Sequence, residues 1–372
     1  MNFDFTDEQE ELRATARTFL ADRSASEDVR RAMESGAGSD PELWKQMGAE
    51  LGWTAVTIPE ACGGLGLSQV ELAALLEVMG EFLVCAPFFS TVCLGANAIL
   101  CAGSEAQQAA LLPAIAEGQC RATLAGNAWE AGGLGTTAWR DGDSFVLSGG
   151  EPHVLDGHSA DLLVIAARLD DQPALFAVPA GSEGLRREAR PTMDQTRRLA
   201  ALELHDVRLP AEARLGGDAA DPCAWERILA RATVALAVEQ VGGAQRCLDM
   251  AVEYAKEREQ FGRPIGSFQA IKHTCADMMI AVEAARSGVY YAACAAAEAS
   301  DELPVLASLA KATASEAYFR CAADSLQIHG GVGFTWEYDV HLHLKRARAG
   351  EHMLGDPAFH RERVARAIGL DA

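Results

Sequence analysis

Basic residues are scarce in this 372-residue chain, where 32 Lys and Arg stand against 53 Asp and Glu for a formal net charge of −21. Nucleic-acid binders draw most of their non-specific affinity from a basic surface, so the balance argues against that class. Also missing is an uncharged apolar run of about 18 residues, the length that a membrane-spanning helix needs, and no membrane insertion is expected. The stretch Met1 to Glu8 lacks a basic region followed by an apolar one, which argues against a secretory signal and for a cytoplasmic protein. The ten cysteines (62, 85, 93, 101, 120, 223, 247, 275, 294, 321) contain no C-x-x-C pair. They fit neither a zinc site nor a dense disulfide framework, and reduced thiols are expected. The acid excess favours solubility and identifies no partner.

What is present is a folded globular composition, 49% hydrophobic and 23% charged. From Thr6 to Gln119 apolar residues recur at three and four, as in Leu12, Ala16, Phe19 and Leu20 or Leu72, Leu75, Leu76 and Met79, which predicts helices. The breaks are at Ile58–Gly66 and Ala86-Pro87. The glycine cluster of the first break lacks the Lys-Ser/Thr of a P-loop and reads as a loop between helices rather than a phosphate cradle. Between Cys120 and Leu215 short runs such as Ser144–Leu147 and Leu162–Ala167, separated by Asp-Gly, Gly-Gly and Pro, predict a small β domain. Long Ala-rich helices are then expected near 223–258, 267–299 and 304–328. The expected organisation is helical over 1–119, β over 120–220 and helical over 221–372.

Two segments carry chemistry. In Tyr254–His273 a helix is expected to end at Gly262, Pro264-Ile265-Gly266 to make the turn, and Ser267 to cap the next helix. This is a helical hairpin with a polar tip, or a corner where Arg, an aromatic and Gln meet a ligand bearing a pyrophosphate and a flat ring, because guanidinium binds phosphate bidentately. In Leu326–Tyr338 the glycines of Gly330-Gly331-Val332-Gly333 let main-chain N–H groups approach a phosphate or another chain. His329 has no acid nearby in sequence and reads as a packing or hydrogen-bonding residue rather than a base.

These segments together resemble the acyl-CoA dehydrogenase family over nearly the whole chain. Phe5-Thr6-Asp7-Glu8-Gln9, the Pro59-Glu60 to Gly66 loop, Arg-x-x-Phe-Gly-x-Pro-Ile at 258–265 and Gln-Ile-x-Gly-Gly-x-Gly-Phe at 327–334 stand in the family's order and spacing. The resemblance implies an α+β fold: a helical N-terminal domain, a middle β domain and a C-terminal four-helix bundle, usually in a tetramer that binds FAD between subunits. By position, Arg258 resembles the residue that meets the pyrophosphate, Phe261 an adenine contact and Gln269 a further FAD contact. Gln327, Gly330 and Gly331 resemble the adenosine-phosphate site. The implied reaction is α,β-dehydrogenation of an acyl-CoA thioester, a carboxylate taking the α-proton while hydride goes to flavin. The electrons then pass to an electron-transfer flavoprotein.

The chain departs from that pattern at the base. Where the family has the Glu of a Glu-Gly-Thr element, an ungapped register through Glu337-Tyr338 gives Leu354-Gly355-Asp356. Where some relatives carry the base one helix earlier, the register of Arg258 and Phe261 gives Ala232. Glu239, in the apolar run Ile228–Gly243, is the candidate that remains; burial there favours either a functional or a paired carboxylate. It lies seven residues past Ala232, on the same face but roughly 10 Å further along. The alternative is a carboxylate paired with Arg231, Arg246 or a partner subunit. Glu351 and Asp356 are weaker candidates. The stretches Ala125–Gly135 and Gly150–Gly157 also depart from the family and receive no roles.

Pro191–Leu199, Gly333–Tyr338 and the Leu354-Gly355-Asp356 ending resemble a bacterial branch associated with bulky substrates such as steroid side-chain CoA esters. Some of its members are heterotetramers of unlike subunits, each incomplete for FAD or catalysis. Three readings follow: a dehydrogenase with Glu239 as base, in a homo- or heterotetramer; a non-catalytic subunit completing the site of a paralogue; and, with the same fold, a flavin monooxygenase or oxidase.

Overall fold

The computed structural model describes residues 6–126 and 133–370. Its helices are α1 (Asp7–Arg23), α2 (Ser26–Glu34), α3 (Pro41–Lys45), α4 (Gln69–Glu81), α5 (Asn97–Ala102), α6 (Glu105–Ala116), α7 (Ala224–Glu257), α8 (Gln269–Ala297), α9 (Leu303–His329), α10 (Val340–His352) and α11 (Pro357–Ala367). Its strands are β1 (Ala122–Ala125), β2 (Thr136–Asp141), β3 (Ser144–Leu155), β4 (Leu162–Leu169), β5 (Gln172–Pro179), β6 (Leu185–Arg190) and β7 (Leu199–Pro210), with a short pair β8 (Glu259–Gln260) and β9 (Arg263–Pro264). The order is helical, then β, then helical. The chain divides into two compact units, Met1–Arg31 with Gln69–Val84 and Thr233–Ala372, and Ala32–Ser68 with Cys85–Ala232.

The second unit holds a seven-stranded sheet in the order β1-β4-β2-β3-β7-β6, with β5 against β4. The apolar run Leu162–Ala167 is buried at every position in β4, which is what a run without alternation predicts when both faces are covered. The loop from β4 to β5 is Asp170-Asp171, both at positive φ (50° and 63°), the backbone of a two-residue hairpin turn whose twist matches the strands. Phe145 and Phe176 meet edge to face at 5.2 Å in the core of this sheet.

The first unit is helical. Thr6 opens α1 with a capping box, its hydroxyl accepting from Gln9 N while Gln9 Oε1 accepts from Thr6 N. Its core gathers Leu248 and Ala251 of α7, Met278 and Val282 of α8, and Tyr318, Ala322 and Leu326 of α9. Helices α4 and α7 touch backbone to backbone: a Cβ on Gly80 would lie 2.0 Å from the Glu239 carbonyl oxygen, and one on Gly242 1.8 Å from that of Glu77. Glycine is therefore required at both positions by close approach. Between these helices Glu77, 1% exposed, is held by Arg13 (3.3 Å), Arg286 Nε (3.1 Å) and the Tyr290 hydroxyl (3.3 Å). A buried carboxylate is tolerated when cations and donors surround it in this way.

Candidate functional site

Helix α7 ends at Glu257, earlier than the expected Gly262. The reversal is made by Phe261 (φ 56°) and Gly262 (φ 73°) between the paired residues Gln260 and Arg263, not by Pro264-Ile265-Gly266. Two consecutive positive φ values complete the turn, so Gly262 serves a hairpin rather than a helix cap. Ser267 does not cap α8 either: the N-cap is Phe268, with no side-chain bond. Arg258 is fixed at both backbone ends, its N–H donating to Tyr254 O and its carbonyl accepting from Ile265 N, each at 2.8 Å. Its guanidinium is exposed and has no acidic partner among the described residues. Phe261 is 91% exposed, and Gln269, also exposed, donates from Nε2 to His273 Nε2 at 2.8 Å.

At the far end of α9, Gln327 is exposed and Gly330 adopts φ 61°, ψ −140°, a combination that only glycine reaches readily. A Cβ on Gly330 or Gly331 would meet nothing within 4 Å, so the turn faces open space. His329 is 4% exposed and donates from Nδ1 to Ser325 O at 2.7 Å, a packed, hydrogen-bonded residue. Its ring stacks on Tyr254 with centroids 4.3 Å apart, which brings the Arg258 corner and the glycine turn to neighbouring positions.

The turn after α10 is finished differently. Leu354 (φ 60°) and Gly355 (φ 97°) again have consecutive positive φ, but Leu354 is 4% exposed. Beneath them lies Lys311, 0% exposed, whose three ammonium hydrogens go to Ser315 Oγ (2.9 Å), Glu351 O (3.1 Å) and Gly355 O (3.1 Å). Ser315 in turn donates to Gln240 Oε1 at 3.1 Å, and His360 Nε2 donates to Leu354 O at 2.9 Å. Burial pushes the Lys311 amine down to about 7 against the pull of Glu351 and Asp356, and burial beside Lys311 pushes His360 down to about 4. Glu351 pairs with Arg348, and Asp356 caps α11 through Phe359 N at 2.8 Å.

Glu239 is 7% exposed and accepts from Arg346 Nη1 at 2.7 Å. Its partner is thus neither Arg231 nor Arg246 but a residue 107 positions away on α10, which local spacing does not reveal. Ala232 is fully buried. Of the stretch Ala125–Gly135, residues 127–132 lie outside the described residues. In the other departing stretch Glu151, 1% exposed, accepts from Gly135 N (3.2 Å) and the Thr136 hydroxyl (3.1 Å). Sequence reasoning missed Lys311, Arg346 and Glu77; the available signal was a lone charge inside an apolar helical run, as in Leu75-Leu76-Glu77-Val78-Met79. Among the described residues no cluster suited to a metal occurs, and no helix is long and apolar enough to cross a membrane.

The helical–β–helical order and the two adjoining exposed turns are those the acyl-CoA dehydrogenase resemblance leads one to expect. The family comparison agrees: residues 6–119 match the acyl-CoA dehydrogenase N-terminal domain and residues 224–369 the C-terminal domain, and the chain belongs to that family of FAD-dependent oxidoreductases acting on acyl-CoA. It is 34% identical over 95% of its length to "Acyl-CoA dehydrogenase IpdE2" of Mycolicibacterium smegmatis, 96% of which is covered. It superposes on a chain of the ChsE4-ChsE5 complex from Mycobacterium tuberculosis with TM-score 0.92 and 30% identity, covering all of both chains. A chain from a variant of the Tcur3481-Tcur3483 steroid acyl-CoA dehydrogenase gives TM-score 0.89 and 32% identity, with 98% of each covered.

Proposed function

We propose that this chain is one subunit of a heteromeric, FAD-dependent acyl-CoA dehydrogenase for bulky, steroid-type acyl-CoA thioesters. It brings the clasp for the adenosine end of FAD and takes its catalytic base from an unlike partner subunit. The observation that carries this reading is the contrast between open cofactor-type donors and a closed base position. Leu354 and Ala232 cannot accept a proton, and the Glu239 carboxylate is already bonded to Arg346. The relatives named for a two-protein complex and a steroid substrate support the pairing and the substrate class.

The exposed groups suit the cofactor. The Arg258 guanidinium offers parallel N–H donors to a pyrophosphate. Gly330 and Gly331, with open space where a side chain would stand, admit a phosphate to main-chain N–H groups. Phe261 presents a ring face for adenine, and Gln269 and Gln327 add amide donors. FAD, when bound, supplies the acceptor for the hydride from the acyl β-carbon. The buried Glu239–Arg346 pair holds α7 to α10. An electron-transfer flavoprotein is the electron acceptor in this reading, carried by family resemblance.

The test is the oxidised-flavin absorbance of the chain purified alone and after co-expression with a paralogous acyl-CoA dehydrogenase, before and after anaerobic addition of straight-chain and steroid acyl-CoAs. The reading expects bleaching by steroid acyl-CoA in the co-expressed pair and none with the chain alone. Bleaching of the lone chain overturns the heteromeric reading and makes it a self-sufficient dehydrogenase.

A further inference from the structure

We infer that Tyr254, His329 and Tyr338 form an aromatic joint that holds the Arg258 corner and the Gly330-Gly331 turn as one clasp, with His329 the positioning residue for the adenosine end of the cofactor. The inference rests on the FAD reading above.

The corner and the turn follow separate helices, α7 and α9, each of which carries one of the stacked rings in its last turn. Arg258 sits one helical turn beyond Tyr254, to which its N–H is bonded (2.8 Å). Gly330 follows His329 immediately. The two rings stack at 4.3 Å with an interplanar angle of 21°. Tyr338 closes the set from the side, edge-on to Tyr254 (5.9 Å, 88°) and to His329 (5.3 Å, 67°). Stacked and edge-to-face rings at these distances attract beyond simple burial.

His329 and Tyr338 are each anchored from outside the set. The Nδ1–H···O bond to Ser325 (2.7 Å) fixes the rotation of the His329 ring and leaves Nε2 as the lone-pair nitrogen of the neutral form. Burial lowers the His329 pKa, which keeps the ring neutral. A Cβ on Gly333 would come within 3.0 Å of His329 Cβ, so the chain leaving the turn folds back over that residue. The Tyr338 carbonyl accepts from Arg30 Nη2 at 3.2 Å, and Arg30 also bonds Asp339 next in sequence. Because Gly330 occupies a glycine-only conformation with nothing above it, the direction of the turn is set from below, by His329.

The test is FAD titration, followed by flavin fluorescence, of flavin-stripped protein purified with the partner it requires. His329→Leu is expected to weaken FAD binding about tenfold, the loss of two ring contacts, and His329→Phe, which keeps the stack, about threefold or less. A purely structural role predicts a lowered melting temperature with unchanged affinity, so a cycle with Arg258→Ala provides the second readout. If the joint positions Arg258, His329→Leu adds less than threefold on the Arg258→Ala background. An FAD affinity within twofold of wild type in His329→Leu, or effects of the two changes that multiply independently, overturns the inference. Should His329→Leu fail to fold, Tyr338→Leu, at a half-buried position, is read in the same cycle against the same criteria. An Arg258→Ala protein that binds FAD as tightly as wild type overturns the FAD reading itself, whatever His329 does.

Discussion

Phe261-Gly262 and Leu354-Gly355 are the same backbone device used for opposite ends. Both are a bulky residue and a glycine at consecutive positive φ, a conformation that costs a non-glycine residue about 1–2 kcal/mol. Phe261 bears that strain with 91% of its surface exposed, whereas Leu354 bears it with 4% exposed. In the second case the interior explains the strain: Lys311 and His360 bind the turn's carbonyls, and the leucine fills the core. In the first case the ring's contact is one edge-to-face meeting with Phe268 at 6.0 Å, on the surface, and in the reading proposed above the strained ring beside the Arg258 guanidinium serves a ligand. In that reading one turn serves binding and the other closure, Leu354 standing where the family resemblance would put a base.

The comparison breaks most readily at the closed side. Arg346→Met leaves the Glu239 carboxylate buried without its cation, and a loss of about 3–5 kcal/mol in unfolding free energy is expected by urea denaturation. A loss under about 1 kcal/mol would mean that water already reaches the pair.

Next in size is the pH response of the staple. The folded-state amine of Lys311 lies near 7, below the ordinary 10.5, so the unfolded chain binds more protons between those values. Stability from this group therefore rises with pH across that window and is lowest below it. Relative to Lys311→Met, wild type is expected to gain about 2 kcal/mol between roughly pH 7.5 and 9, at most about 1.4 kcal/mol per pH unit. Parallel stability curves for the two proteins would show that the amine is not held as described.

On the open side, Arg258→Ala is expected to weaken FAD binding about 10- to 100-fold, the worth of a charge-assisted hydrogen bond, with little change in melting temperature. The smallest effect sharpens the contrast. Phe261→Asn creates an Asn-Gly hairpin turn, which should stabilise the protein by about 0.5–1 kcal/mol while weakening FAD binding. Greater stability together with unchanged FAD affinity would leave the strained ring without a purpose.

The fold was legible in the sequence where periodicity is local. The runs near 223–258 and 267–299 emerge as Ala224–Glu257 and Gln269–Ala297, and the strand at Leu162 is an interior strand of its sheet, between β1 and β2. The tip at Phe261 was misplaced because a phenylalanine at positive φ runs against local preference, and helix-end rules assign the positive φ to glycine alone. The burial of Glu239 was legible from its apolar neighbours; its partner was not, because Arg346 reaches it from another helix 107 residues on. Lys311 was invisible for a related reason. A lone lysine in an Ala-rich helix looks solvated until the chain folds a turn of carbonyls over it.

The central claim, that this chain supplies the clasp but not the base, is tested most directly by Glu239→Gln in the co-expressed pair, followed by anaerobic bleaching of the flavin with steroid acyl-CoA. The account expects bleaching within about twofold of the wild-type rate in a protein of lowered stability. A fall of about 100-fold or more, the usual loss when a general base is removed, with flavin content unchanged, would contradict it and make Glu239 the base.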